Sequence, residues 1–265
     1  MFLKIRHISH YHYDRPVALA VQRLRLWPKD VPGLKVLDWA VHVGGATFEV
    51  SYVDGFGNRT DLVRHERNAQ EIEIIAEGAV ETEDRAGVLG PVYGFAPVWL
   101  FERQTSLTTP GKAIHSLAAA MAEETDRLSL LHRLMTAIHE RIAYLPGSTD
   151  TGTDAETALT KRSGVCQDHA HVFVAVARSL GIPARYVSGY LMMDDRPDQT
   201  ASHGWAEAHV DGLGWIGFDA ANDICPDARY VRLACGLDYR DAAPVSGLRY
   251  GPGYERLAVA INVEQ

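Results

Sequence analysis

Residues 164–171 read Gly-Val-Cys-Gln-Asp-His-Ala-His. A thiol, a carboxylate and two imidazoles fall between Cys166 and His171. Two chemistries use such a set, metal ligation and nucleophilic catalysis. Structural zinc takes four ligands, usually from paired Cys or His spacings. Residues 165–180 have the pattern of one helix, closed by Gly181 where a left-handed residue is wanted and stopped by Pro183. On that helix His169 and His171 diverge by about 200°. Both cannot join Cys166 around one ion while the helix stands. No second CxxC or HxxxH cluster completes a site, so no metal and no other cofactor is expected.

The second chemistry fits the position of the thiol. Cys166 lies in the first helical turn, where unpaired backbone N–H groups and the positive end of the dipole point. That setting favours the thiolate, and the same N–H groups can bind an oxyanion. A cysteine buried at a helix start as a small apolar residue is the rival reading. On this stretch alone the two balance. Asp168 complements the helix dipole but opposes thiolate formation, so it reads as structural or substrate-facing.

A partner comes from further along the chain. Ser202-His203-Gly204-Trp205 opens one strand and Gly217-Phe218-Asp219 closes the next. Between them, Asp211-Gly212-Leu213-Gly214 is turn chemistry. With the turn centred near Asp211, His203 and Asp219 are each eight residues from the centre. In an antiparallel hairpin that predicts cross-strand neighbours. The carboxylate would fix the imidazole tautomer, and the imidazole would face a thiolate. Cys, His and Asp are the set that acyl transfer needs. Alone, His203 reads as a surface strand residue and Asp219 as a turn cap; together they argue for a site. His209 lies ~20 Å further along the same face, too far to share the role. His169 sits at i+3 from Cys166 and reads as a packing or hydrogen-bonding neighbour. His7, His10 and His12 crowd one strand, and two ligands on a face are weak evidence for a metal.

These residues need elements to hold them. The first third of the chain reads as short strands, 2–13, 17–26, 36–43, 46–53 and 71–75, with Gly44-Gly45 and Asp54-Gly55 breaks. Strands and turns at about 8–12-residue spacing predict an antiparallel sandwich. A Gly/Pro-containing stretch, 87–97, is placed as a linker. Helices follow at 126–143, 155–161 (capped by Asp154) and 165–180, then strands at 185–191, 205–210 and 215–218. The expected fold is α+β, with a β-rich domain over 1–95 and a catalytic domain over 96–265.

Composition removes several functions. Of 265 residues, 46% are hydrophobic and 23% charged, and the net charge is −8. That is a soluble globular profile, and with no basic stripe it argues against nucleic acid. No apolar run approaches the ~20 residues of a membrane span. The N-terminus lacks a signal-peptide pattern, so a cytoplasmic protein is expected. Cys225 and Cys235 could pair, but read first as free small hydrophobes.

The ordered motifs resemble one family. Tyr144-Leu145-Pro146-Gly147-Ser148-Thr149, Gly164-Val165-Cys166-Gln167-Asp168, the run from Gly181 to Tyr190, Ser202-His203-Gly204-Trp205-Ala206-Glu207 and Gly214-Trp215-Ile216-Gly217-Phe218-Asp219 look like the bacterial transglutaminase-like superfamily. Tyr11-Asp14-Pro16 and Gln22-Arg25-Leu26-Pro28 resemble the β-rich domain that precedes its core. The resemblance implies a papain-like core with Cys166 as nucleophile, His203 as general base and acid, and Asp219 as orienter. It also offers Cys166 and groups near Tyr144 as oxyanion donors, with Gln167, His169 and Trp205 as further substrate or oxyanion candidates. Two positions depart from the family pattern. Gly204 stands where alanine is common, and Asp219-Ala220-Ala221-Asn222 replaces a common Asp-Pro-Thr. The second departure is expected to loosen the turn that holds Asp219.

The expected activity is thiol-dependent acyl transfer on a peptide or protein substrate. Cleavage of an amide or isopeptide bond, as in a cysteine protease, leads. A transglutaminase using an amine acceptor and a peptide-binding module without turnover are the alternatives. Calcium is not implied, since no Asp-rich loop of the calcium type is present.

Overall fold

The computed structural model describes residues 1–91, 95–194 and 196–265. Strand Phe2–Val17 shows why the chain begins as sheet. Leu3, Ile5, His7, Ser9, Tyr11 and Tyr13 point inward while their neighbours face out, the period-two pattern of a strand buried on one face. It pairs antiparallel with Ala69–Thr82 on one side and Glu255–Glu264 on the other. Leu34–Val43 and Asp198–Gln199 close the two edges of this five-stranded sheet. A four-stranded sheet runs in the order Val245–Tyr250, Leu19–Leu24, Arg59–His65, Ala46–Val53. Leu3, Ile5 and Ile72 of the first sheet and Leu24 and Val63 of the second share one apolar cluster.

The third sheet carries the chemistry-bearing residues. Its order is Tyr230–Gly236, Ala184–Leu191, His203–Val210, Gly214–Phe218, Val88–Gly90, all antiparallel. Helix Cys166–Ser179 lies against it and is buried from Cys166 to Arg178, with the apolar run Val172–Ala177 wholly enclosed. Val172, Phe173 and Val176 pack with Ala206, Ala208 and Phe218 of the sheet. Helices Lys112–Met121, Arg127–Arg141 and Ala155–Lys161 cover its outer side through Leu117, Leu134 and Ala158. Asp126 and Asp154 cap two of these helices through Ser129 N and Thr157 N, and Gly181 takes the left-handed turn with φ 69°. Tyr186, Tyr190, Val231 and Leu233 from the third sheet join the cluster of the first two.

The expected division at 95/96 meets this topology at two points. Val245–Tyr250 pairs with Leu19–Leu24, and Glu255–Glu264 pairs with Phe2–Val17. The last strands thus complete sheets that the first strands begin. Part of the expected linker, Val88–Gly90, is an edge strand on Gly214–Phe218; residues 92–94 of it lie outside the described residues.

Candidate active site

Two short segments set the position of Cys166. Ala143–Tyr144 pairs in parallel with Ser163–Gly164, and Leu145 N donates to Gly164 O at 2.8 Å. The chain then turns at Val165 into the helix, with Cys166 as its first residue. The Asp168 carboxylate accepts from Val165 N and from the Thr149 hydroxyl, both at 2.7 Å. It caps the start of the helix, a structural role. Gly164 is required there, because a Cβ would overlap the Asp168 carboxyl. Burial pushes Asp168 above the usual carboxylate range, against the pull of those donors.

His169 joins the same frame. Its Nδ1 lies 2.8 Å from Val165 O and its Nε2 3.0 Å from Ile142 O, tying the helix start to the segment that leads into Tyr144. His171 faces elsewhere, accepting at Nε2 from Tyr239 N at 3.1 Å. Gln167 reaches the same loop as Thr149, donating to Thr151 O at 3.4 Å. Tyr144 is 53% exposed and tilts over His169 with ring centres 6.2 Å apart. Burial, then the neighbouring Cys166 and Asp219, push its phenol up to about 12.

His203 and Asp219 meet from adjacent strands. His203 Nε2 donates to Asp219 Oδ2 at 2.6 Å, which leaves Nδ1 for the Cys166 side. The register differs from the expected one by two residues. His209 pairs with Trp215 and Val210 with Gly214, so the turn is centred on Gly212, whose φ is 81°. Continued by one residue, this register sets Asp219 opposite Trp205, with His203 at the diagonal position. A two-residue offset keeps every side chain on its face, and diagonal neighbours remain within reach. Burial alone would lower the His203 pKa. Asp219 and Cys166 outweigh it and push the imidazole up to about 10.

The Asp219 turn is well held. Oδ2 also accepts from Tyr230 OH and Asn222 Nδ2, both at 2.7 Å, and Oδ1 from Ala221 N at 3.0 Å and Asn222 N at 3.3 Å. Asp219 N donates to Ile224 O at 2.9 Å. The expected loosening of Asp219-Ala220-Ala221-Asn222 is therefore not what the fold displays, since Asn222 supplies the donors. Burial alone would raise the Asp219 pKa, but His203, Tyr230 and Asn222 hold it below the usual carboxylate range. Trp205 stacks on His203 at 6.2 Å and meets Tyr230 edge-on at 5.4 Å, walling the pair on one side. His209 packs on Trp215, away from this group.

Comparison with known proteins places the chain. Residues 115–220 match the transglutaminase-like superfamily, and residues 3–81 match the bacterial transglutaminase-like N-terminal region. The chain belongs to the transglutaminase-like superfamily. An uncharacterized protein of Mycobacterium leprae is 26% identical over 274 residues, covering 98% of each chain. An uncharacterized protein of Mycobacterium bovis is 35% identical over 133 residues, covering 46% of this chain and 42% of its own. The crystal structure of a candidate cysteine protease from Cytophaga hutchinsonii superposes with a TM-score of 0.80 at 23% identity, covering 100% of this chain and 90% of its own. That likeness is one of fold.

Within this transglutaminase-like chain the described residues include two that local sequence patterns miss. Asn222 sits three residues after Asp219 and carried a signal, since Asn in a turn can bond its own local backbone and side chains. Tyr230 carried none, because its strand joins the sheet beyond Ala184–Leu191, by a crossover. All three cysteines are free thiols. Among the described residues no group of three or more His, Cys, Asp or Glu is arranged to hold a metal ion, and no helix is long and apolar enough to cross a membrane.

Proposed function

We propose that the protein is a thiol-dependent acyl-transfer enzyme that cleaves amide or isopeptide bonds in peptides or proteins. The reading rests on one observation above others. His203 is fixed by Asp219 through Nε2 at 2.6 Å, and the neighbour that joins Asp219 in raising its pKa is Cys166. In this scheme the Cys166 proton already rests on His203 Nδ1, as the raised imidazole requires, and Cys166 Sγ attacks the carbonyl carbon as the thiolate. The carbonyl π pair moves to oxygen, beside the N–H groups of the helix start. Collapse breaks the C–N bond, and His203 protonates the departing amine. Water then attacks the thioester and gives a proton to His203; the C–S bond breaks, the acid leaves, and sulfur and imidazolium return to their starting state. Asp219 keeps the tautomer and the charge of the imidazolium throughout. We also read the two N-terminal sheets as one sandwich, on the strength of the apolar cluster they share.

The test separates hydrolysis from amine transfer. Casein and a dansyl-labelled primary amine are incubated with the protein and with Cys166→Ala. The proposal expects new amino termini with wild type, none with Cys166→Ala, and little dansyl incorporation. Stoichiometric dansyl incorporation without new termini would make the protein an amine-accepting transglutaminase. Casein cleavage by Cys166→Ala at the wild-type rate would remove Cys166 from the reaction.

A further inference from the structure

Tyr186 is a polar side chain beside the proposed centre that the scheme above leaves unused. It lies in Ala184–Leu191 opposite Ala206 and is 2% exposed. His171 and Tyr239 hold its ring, with centres 5.1 and 5.9 Å away. Burial, then Cys166, Tyr239, Asp168 and Asp219, push its pKa well above the ordinary tyrosine value, so the hydroxyl keeps its proton. Yet that hydroxyl makes no hydrogen bond to any described residue, and it is not among the partnerless atoms sealed away from solvent.

Gly204 explains where the hydroxyl points. A Cβ at residue 204 would overlap the Tyr186 hydroxyl. Nothing else in the backbone asks for glycine, since Gly204 has no positive φ and lies in regular strand between His203 and Trp205. Glycine at this position, where the family commonly has alanine, clears a slot on the strand face that carries Ala206 and Ala208. The phenol fills that slot from the side on which the helix beginning at Cys166 packs.

We propose that the Tyr186 hydroxyl donates a hydrogen bond to the acyl oxygen of the substrate in the tetrahedral intermediate on Cys166, with Gly204 making the room it needs. This rests on the acyl-transfer reading and adds to it a donor from the sheet. As Sγ–C forms, the carbonyl π pair moves to oxygen and the neutral phenol donates to that oxygen without giving up its proton. When C–N breaks, the pair returns and the phenol is unchanged.

Two reagents separate this role from others. Iodoacetamide alkylates the thiolate without forming an oxyanion. p-Nitrophenyl acetate acylates it through one. In Tyr186→Phe we expect acylation of Cys166 to fall about 10²-fold, the usual loss for one oxyanion donor, with alkylation unchanged. Gly204→Ala, which displaces the hydroxyl, should lower acylation in the same way. The double variant should then be no slower than Tyr186→Phe alone, since both remove one interaction. Unchanged acylation in Tyr186→Phe overturns the proposal. So does alkylation that falls in step with acylation, which would make Tyr186 a support for the thiolate or the fold. If Tyr186→Phe does not fold, Gly204→Ala decides alone: acylation at the wild-type rate overturns the proposal. Wild type that is acylated no faster than Cys166→Ala overturns the acyl-transfer reading, and Tyr186 with it; that result is visible before any Tyr186 variant is made.

Discussion

The imidazole of His203 sits between two acids, and its behaviour follows from both. Asp219 holds Nε2 at 2.6 Å and, with Cys166, pushes the ring up to about 10 against burial. Below that value His203 carries the proton that a leaving amine needs. The account therefore predicts kcat/KM that holds through neutral pH and falls on the alkaline side near 10. Asp219→Asn should move that limb to lower pH and cut kcat by about 10²–10⁴-fold; a limb that stays in place would contradict the assigned role of Asp219. Cys166, His203 and Asp219 were legible because each sits in a locally readable element, a helix start or one arm of a hairpin. Tyr230 was not, since the contact that makes it matter spans 11 residues and a strand that reaches the sheet by crossing over. Tyr186 was legible as strand and illegible as a donor, because its environment is assembled from the segments that carry Cys166, Gly204 and Tyr239.

At the level of elements, the site depends on the third sheet keeping its strands in register. Glu207 of His203–Val210 accepts from Arg185 at 2.5 Å and from Arg232 at 2.9 Å. It thus pins the strands on both sides of Ala184–Leu191 to one another. Burial alone would raise the Glu207 pKa, but the two guanidinium groups hold it below the usual range. Removing the carboxylate leaves two buried cations unpaired. Glu207→Gln should cost about 3–5 kcal/mol, read as a lower urea midpoint at unchanged slope. A loss near zero would mean that the ion group does not hold the sheet. The hairpin itself was readable to within two residues. The pattern fixes which residues share a face, whereas the turn fixes where the centre falls, and Gly212 set it one residue past Asp211.

At the level of the whole molecule, the two ends of the chain are woven together. Strand alternation made Phe2–Val17 visible from the start, but nothing local in 245–264 names a partner some 240 residues away. Deleting residues 245–265 should strip Phe2–Val17 and Leu19–Leu24 of one neighbour each. Exposed strand edges of that length invite aggregation. The truncated chain is expected to be insoluble or to elute as an aggregate by size exclusion; a monomer with a wild-type melting temperature would refute that dependence. Acid should loosen the same assembly. Burial lowers the pKa of His7, His65 and His171 to about 4. The unfolded chain takes up those protons from about pH 6.5 downward while the folded chain does not. Stability is then fully present above about pH 6.5 and falls as pH drops toward 4, at up to about 1.4 kcal/mol per pH unit for each histidine. Urea midpoints measured across that range check the sign; a midpoint that rises with acid would reverse it.

The most direct test of the central claim is the mass and position of a trapped acyl group. The protein is mixed with p-nitrophenyl acetate, quenched in acid, weighed intact and mapped by peptide digestion. The account predicts one added acetyl on Cys166, no such adduct in Cys166→Ala, and a much slower gain in His203→Ala. Acetyl groups scattered over lysines, with Cys166 unmodified in the wild-type protein, would contradict it.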